Sequence, residues 1–292
     1  MPGRRLKNPY VGFRAEQLTI FALSAYASVV HIPIEEDYGN DLICTIIKEK
    51  GKFLIPSNPF FVQCKSNESN RKKVVVYGKE DEINWFLSIN IPFYISLVYL
   101  KNNARIELYK TCEKIPLAYS RNCKKITLIR GSHKNGKTTW DSNGDIYMGK
   151  PVISIPIGNM NKKDPEITKT IGYWTALETQ NYYWKNLGIK IYQRAVKYST
   201  NYVPTELETK VFYGLGRSTQ SQKEKAAIVL MHELFHEYLG EDGKSPKVKW
   251  DNLSQPKKEF YINSIKVLKQ LSANIADNVK TIYRGRLGIA AF

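Results

Sequence analysis

Asp41-Leu42-Ile43-Cys44-Thr45-Ile46-Ile47-Lys48 and Phe60-Phe61-Val62-Gln63-Cys64-Lys65-Ser66 are the two runs that decide how this chain folds. Both are rich in the β-branched and aromatic residues that suit a pleated, half-buried surface. The first follows Glu35-Glu36-Asp37-Tyr38-Gly39-Asn40, which reads as a turn. Lys50-Gly51-Lys52 and Pro56-Ser57-Asn58-Pro59 punctuate the space between the two runs. A strand over 41–48 is therefore expected, with 60–65 as its partner.

Upstream, Phe13, Leu18, Phe21, Ala22, Ala25 and Val29 recur at helical spacing, so a first helix is expected over 13–30 with Glu16 near its start. Residues 28–34 also resemble a strand. Downstream, 80–90 reads as a helix. Two further strands, 94–100 and 105–109, flank the turn Lys101-Asn102-Asn103-Ala104. Helix, strands, helix, strands is the order of a compact α/β core. From 131 to 165 the chain is rich in Gly, Asn, Lys and Pro, which predicts a basic loop or linker. Helical stretches are expected over 165–200, 221–240 and 256–283, the last with apolar positions Ile262, Ile265, Leu268, Leu271, Ile275, Val279 and Ile282. The expected organisation is a core over 1–130, a linker over 131–165 and a mainly α-helical region over 166–292.

A chain of 292 residues with 42% hydrophobic content can bury a sizeable core. Its 44 Lys and Arg stand against 27 acids, a formal charge of +17. That excess favours a polyanionic partner through steering and counterion release. Cys44, Cys64, Cys112 and Cys123 form neither a CxxC pair nor a disulfide framework, which argues against a zinc ribbon and points to the reducing cytoplasm. No signal-type core follows Met1-Pro2-Gly3-Arg4-Arg5. The apolar stretch 87–100 is too short to span a bilayer.

The residues at the ends of the two opening runs carry chemistry. On a strand, Gln63 and Lys65 project from one face, while Val62 and Cys64 point the other way. Asp41 can hold a divalent metal. Gln63 can offer it only a neutral carbonyl oxygen, a weaker hard ligand than Glu. Lys65 can stabilise charge developing on phosphorus, and Glu16 can add negative charge from the preceding helix. Hydrolysis of a phosphodiester needs such a set: a metal, an acidic ligand and a cation. The plain alternative is a β-hairpin with a chance Asp and Lys.

At these residues the chain resembles the PD-(D/E)XK nuclease superfamily, most closely its Mrr-like branch, in which Gln stands before x-Lys. The strings Glu36-Asp37-Tyr38-Gly39-Asn40-Asp41-Leu42 and Phe61-Val62-Gln63-Cys64-Lys65-Ser66 also look like an uncharacterised bacterial domain of that superfamily, found near restriction and phage-defence loci. The likeness covers roughly residues 10–112, with Glu16 matching a helix Glu and Ile91-Pro92-Phe93-Tyr94 a strand that starts near a Pro. It implies a restriction-endonuclease-like core, a central mixed sheet flanked by helices. It also implies Mg²⁺-dependent cleavage of DNA, with the metal on Asp41 and Gln63 and with Glu16 and Lys65 completing the catalytic set. The chain departs from the pattern at the first motif, where Asn40 rather than Pro precedes Asp41 and Asp37 competes for the role. Two cuts in a duplex call for two sites, so a homodimer is expected.

Other motifs compete. His232-Glu233-Leu234-Phe235-His236 is a complete HExxH, which on a helix can hold zinc, with Glu233 as general base and Glu259 or Asp242 as a further ligand. A zinc metallopeptidase is therefore one alternative, and a non-catalytic DNA-binding subunit another. Gly131-Ser132-His133-Lys134-Asn135-Gly136-Lys137-Thr138 matches GxxxxGK[ST], but a phosphate loop must open a helix, and Thr139-Trp140-Asp141-Ser142-Asn143-Gly144-Asp145 is turn chemistry. Lys134 and Lys137 read better as backbone contacts to DNA. Trp174, Tyr182, Tyr183 and Trp184, interleaved with Lys185, Lys190, Arg194 and Lys197, serve equally as a stacking platform for bases or as a helical core.

Overall fold

The computed structural model describes residues 7–33, 39–67, 72–100, 104–111, 114–115, 117, 123–132, 140–141, 143–159, 164–186, 191–195, 200–201, 209–213, 227, 252–253, 258, 262 and 264–269. The chain divides into two compact units. One comprises Met1–Tyr182 with Lys197–Glu208, the other Tyr183–Val196 with Thr209–Phe292.

The first unit opens with helix α1 (Lys7–Ser24) and strand β1 (Ala27–His31). The expected helix over 13–30 therefore begins earlier and stops at Ser24. Val29 and Val30, which extend the helical spacing on paper, are β-branched and pair with Cys44 and Ile43 instead. Then come β2 (Leu42–Lys50), β3 (Phe53–Ser66), β4 (Lys73–Tyr77), α2 (Glu80–Ser88), β5 (Phe93–Tyr99) and β6 (Arg105–Lys110). Strands β7 (Ile126–Ile129), β8 (Asp145–Tyr147) and β9 (Ile153–Pro156) precede helix α3 (Pro165–Asn186). The stretch expected as a basic loop thus contains two strands, and the helix expected to reach 200 ends at Asn186.

Six strands form one mixed sheet in the order β1-β2-β3-β5-β6-β9. β1, β2 and β3 make an antiparallel meander, β5 runs parallel to β3, and β6 and β9 are antiparallel additions. A parallel neighbour cannot be reached by a tight turn. The chain between β3 and β5 makes this crossover through β4 and α2, and β4 joins β7 and β8 in a small second sheet. Helix α2 starts cleanly because Glu82 Oε2 accepts from the backbone N–H of Gly78 (3.0 Å) and Lys79 (3.2 Å). Its first turn carries Glu80, Asp81 and Glu82, which suit the positive end of the helix dipole.

The two faces of the large sheet are covered differently. Phe93, Ile95, Leu97 and Tyr109 pack with Tyr77, Ile83 and Phe86, and with Ile126, Leu128 and Ile146 of the small sheet. On the other face α1 lies against β1, β3 and β5, burying Ala15, Thr19, Ala22 and Leu23 at helical spacing. The Thr19 and Ser96 hydroxyls are hydrogen-bonded there at 2.9 Å. β5 is buried on both faces, as expected of a continuous apolar strand at the centre of a sheet.

Pro56 and Pro59 lie within β3 rather than ending it. Before Phe61 this strand pairs only with β2, so a proline's missing N–H breaks no second ladder. The register shift between Thr45 and Ile47 absorbs the irregularity.

In the second unit β10 (Ile191–Ala195) and β11 (Thr209–Tyr213) pair antiparallel. Ile265, Val267 and Leu268, within a helical piece over 264–269, are buried. The remaining helical expectations for the C-terminal region lie outside the described residues. No described helix is long and apolar enough to cross a membrane.

Candidate functional site

Asp41 sits where β2 begins, and its backbone is tied on both sides. Its N–H donates to the carbonyl of Val62 (3.0 Å), and its own carbonyl accepts from Ile32 N–H (3.0 Å). Leu42 pairs with Val62, so Asp41 stands just past the end of the ladder, beside the Val62–Cys64 stretch of β3. Its carboxylate turns along the sheet edge, where Oδ2 accepts from the backbone N–H of Cys64. The side chain thus takes a donor that a continuing strand would have used. A carboxylate offers about four lone-pair positions, and this bond orients the group. Asp41 is only 9% exposed and Gln63 7%.

Gln63 faces the α2 side of the sheet. Tyr77, at the end of β4, donates its hydroxyl to Gln63 Oε1 at 3.3 Å, which sets the amide's orientation. Lys65, two residues on, shares that face by alternation and is half-buried. Glu16 lies on α1, across the sheet, where its Oε2 meets His31 Nε2 at 3.3 Å. The structure therefore seats Asp41 against Val62 and Cys64, the residues that flank Gln63, and puts Lys65 on the face of Gln63. Glu16 approaches from the opposite side, already engaged by His31.

The Asp41 and Glu16 carboxylates both act on Cys64. Burial pushes the Cys64 thiol well up, and the charges of Asp41 and then Glu16 raise it further, against a lowering hydrogen bond from Thr19. Tyr77 is also pushed up, chiefly by burial and next by Asp41 and Glu82. One carboxylate thus acts on a thiol from the α1 face and a phenol from the α2 face. Its hydrogen bond from the Cys64 backbone N–H likewise holds it near the plane of the sheet, at the mouth formed by the ends of β2 and β3. Tyr77 remains protonated and a donor across the physiological range.

The donors fit a hard divalent cation. They are oxygens only, and Mg²⁺ commonly takes one or two carboxylates and completes its shell with water and substrate phosphate. Beside Asp41, the side-chain oxygen of Asn40 is buried with no hydrogen-bond donor among the described residues. That leaves an acceptor a cation would satisfy. Among the described residues no three His, Cys, Asp or Glu side chains converge as a metal cluster. A site of one carboxylate, one amide oxygen and water is compatible with that count.

Sequence reasoning passed over Tyr77, His31, Asn40 and Thr19. Tyr77 and Thr19 come from other elements, and only the crossover and the packing of α1 bring them here. Gly39 does more than complete the turn before Asp41. It has φ +107°, and Trp85 stands where its side chain would be.

The competing motifs fare unequally. His232 to His236, Glu259 and Asp242 lie outside the described residues, as do 133–139. After Gly131 the described chain resumes with a bridge from Trp140 to Ile146, a turn in which Asp141 Oδ1 accepts from Asn143 and Asp145 N–H (both 3.0 Å), and β8. The described residues of 140–147 open no helix for a phosphate. Trp174, Tyr182 and Trp184 are fully buried and offer bases no stacking face. Comparisons of the chain with protein-family models, with curated proteins and with solved structures find no match.

Proposed function

We propose that the first unit is a Mg²⁺-dependent DNA endonuclease of the PD-(D/E)XK type, with a restriction-endonuclease-like core, acting in restriction or phage defence. The observation that carries this reading is Asp41 at the start of β2, its Oδ2 accepting from Cys64 N–H, with Gln63 and Lys65, to either side of Cys64, on one face of β3. The topology supports it: a helix, an antiparallel three-stranded meander, a crossover helix and a strand parallel to the third.

Asp41 and Gln63 would hold the metal, with the amide oriented by Tyr77. The bound ion supplies Lewis-acid activation of the scissile phosphate and a water of lowered pKa. Lys65 brings an ammonium to the phosphate, where negative charge develops in the transition state. Glu16 adds negative potential from the α1 side and helps to retain the cation. The net charge of +17 favours a polyanionic substrate.

The test is incubation of the purified protein with plasmid DNA in Mg²⁺, in zinc and in chelator. Cleavage in Mg²⁺ that Asp41→Ala and Lys65→Ala each abolish, with folding retained, is expected. Cutting retained by both variants would refute the assignment. Salt-sensitive DNA binding without cleavage in any metal would leave a binding subunit. Copurified zinc, with peptide cleavage lost in Glu233→Gln, would move the chemistry to His232 and His236.

A further inference from the structure

β2 and β3 continue well beyond the rest of their sheet. β1 pairs with β2 only as far as Ile46, and β5 pairs with β3 only from Phe61. The chain between, through the turn at Gly51-Lys52, is a two-stranded arm. At its end Phe53 is 74% exposed, Leu54 66% and Ile55 42%. Lys48 and Lys52 are exposed as well, and the register pairs Lys48 with Ile55 and Lys50 with Phe53. An isolated ribbon has no core to justify three adjacent apolar side chains in water.

We propose that this arm is a DNA wedge. Its Phe53-Leu54 tip enters between base steps from the minor groove, and its lysines meet the flanking phosphates. The partner rests on the DNA reading above, and the arm's own features favour it. Between 48 and 55 the chain has three lysines against one acid, Glu49, so the tip is apolar and its surroundings cationic. Apolar wedges with basic flanks are how proteins unstack and kink a duplex from the minor groove. The reach also fits. Gln63 lies ten residues beyond Phe53, which at about 3.3 Å per residue is a span of up to about 33 Å. One turn of B-DNA is about 34 Å. The register shift between Thr45 and Ile47 adds right-handed twist to the arm. The wedge and the Asp41 site would therefore meet one duplex about a helical turn apart.

The test uses the full chain in chelator, so that no cleavage is needed, with a duplex carrying 2-aminopurine. Wild type is expected to bind and to raise the probe's fluorescence at one step. Phe53→Ser combined with Leu54→Ser should abolish the rise and weaken binding about tenfold, the scale of losing one stacked contact. Lys48→Ala with Lys52→Ala should keep the rise but lower the salt slope by about two. All four positions are exposed, so the fold is not at stake. Wild-type binding and fluorescence unchanged by the tip substitutions would overturn the wedge while leaving the nuclease reading intact. So would loss of binding to phosphatidylserine vesicles rather than to duplex, which would make the arm a membrane contact. Failure of the wild type to bind duplex at all would remove both readings.

Discussion

Gly39→Ala tests how the chain presents Asp41, two residues later. Glycine is required here for two separable reasons. Its φ of +107° lies where side chains are strained, at a cost of about 1–3 kcal/mol. A Cβ would also stand 2.6 Å from Cη2 and 2.9 Å from Cζ3 of Trp85, whereas carbon atoms prefer about 3.5–4.0 Å. The indole would have to retreat by roughly 1 Å. It packs edge-on against Phe93 and tilted against Tyr77, with centroids 6.1 Å away in each case. Overpacking of that kind costs about 1–3 kcal/mol. Together the losses come to about 4 kcal/mol, and at about 2–4 °C per kcal/mol for a unit of this size the melting temperature should fall by roughly 10 °C.

Gly51→Ala separates the two causes. Its φ is +61° with nothing within 4 Å, so it carries strain alone. Thermal and urea unfolding of both variants, followed by circular dichroism, should show Gly39→Ala the worse, and Trp85→Leu should recover part of the difference. A shift under about 2 °C for Gly39→Ala, or equal effects at the two glycines, would refute the argument. In either case the loop before Asp41 would be more yielding than its contacts imply.

Gly144→Ala should be more damaging still, because its Cβ would collide with the backbone carbonyl of Lys125, which cannot rotate away, at φ +86°; loss of soluble folded protein on expression is the expected readout. Stability should fall as pH rises above about 9. Burial holds the Cys44 thiol up to about 12, from an ordinary value near 9, and raises Cys64 in the same direction. Below 9 both thiols are protonated in either state and nothing changes. Between 9 and 12 the unfolded chain sheds a proton that native Cys44 keeps, so this thiol removes about 1.4 kcal/mol per pH unit, and Cys64 acts in the same direction. Urea unfolding at a series of pH values should show this decline, with a shallower slope in Cys44→Ala. Asp41→Asn keeps an acceptor for Cys64 N–H and loses only charge. It should leave the melting temperature unchanged or raised, while Mn²⁺ binding, read by electron paramagnetic resonance, is lost.

The β2 and β3 runs, the crossover helix and the fifth and sixth strands were legible because each declares itself locally, through β-branched content, a capping Glu or a Pro just before the strand. What was not legible depends on contacts distant in sequence. Nothing near Val29 shows that β1 will zip to Cys44 rather than continue α1. The short run Val152-Ile153-Ser154-Ile155, set between prolines in a stretch otherwise rich in turn residues, does not announce that Ile153 and Ile155 will complete the large sheet beside Leu108 and Ile106. The prolines of β3 mislead because their tolerance depends on a missing neighbour, not on their own flanks. The candidate site follows the same rule. Asp41, Gln63 and Lys65 share a strand pair and a register. Tyr77 reaches Gln63 only because the crossover folds β4 over that face, and His31 holds Glu16 only because β1 runs back past the helix.

What needs explaining at Asp41 is its charge. Capping one backbone N–H at a strand end does not demand a carboxylate, since an asparagine oxygen or a further residue of β2 would serve without desolvating an ion. Burying an ionised group is costly unless something compensates it. Around it, Glu16 acts on the same thiol, Asn40 brings an acceptor with no donor among the described residues, and Gln63 presents a carbonyl oxygen held by Tyr77. These acceptors at the mouth of the sheet, on a chain otherwise strongly basic, favour a cation beside Asp41. Lys65 is half-buried on the same face, so its ammonium can reach a phosphate brought to that mouth. The nuclease reading rests on that asymmetry, and the comparison of Asp41→Asn with wild type measures it without requiring the enzyme to turn over.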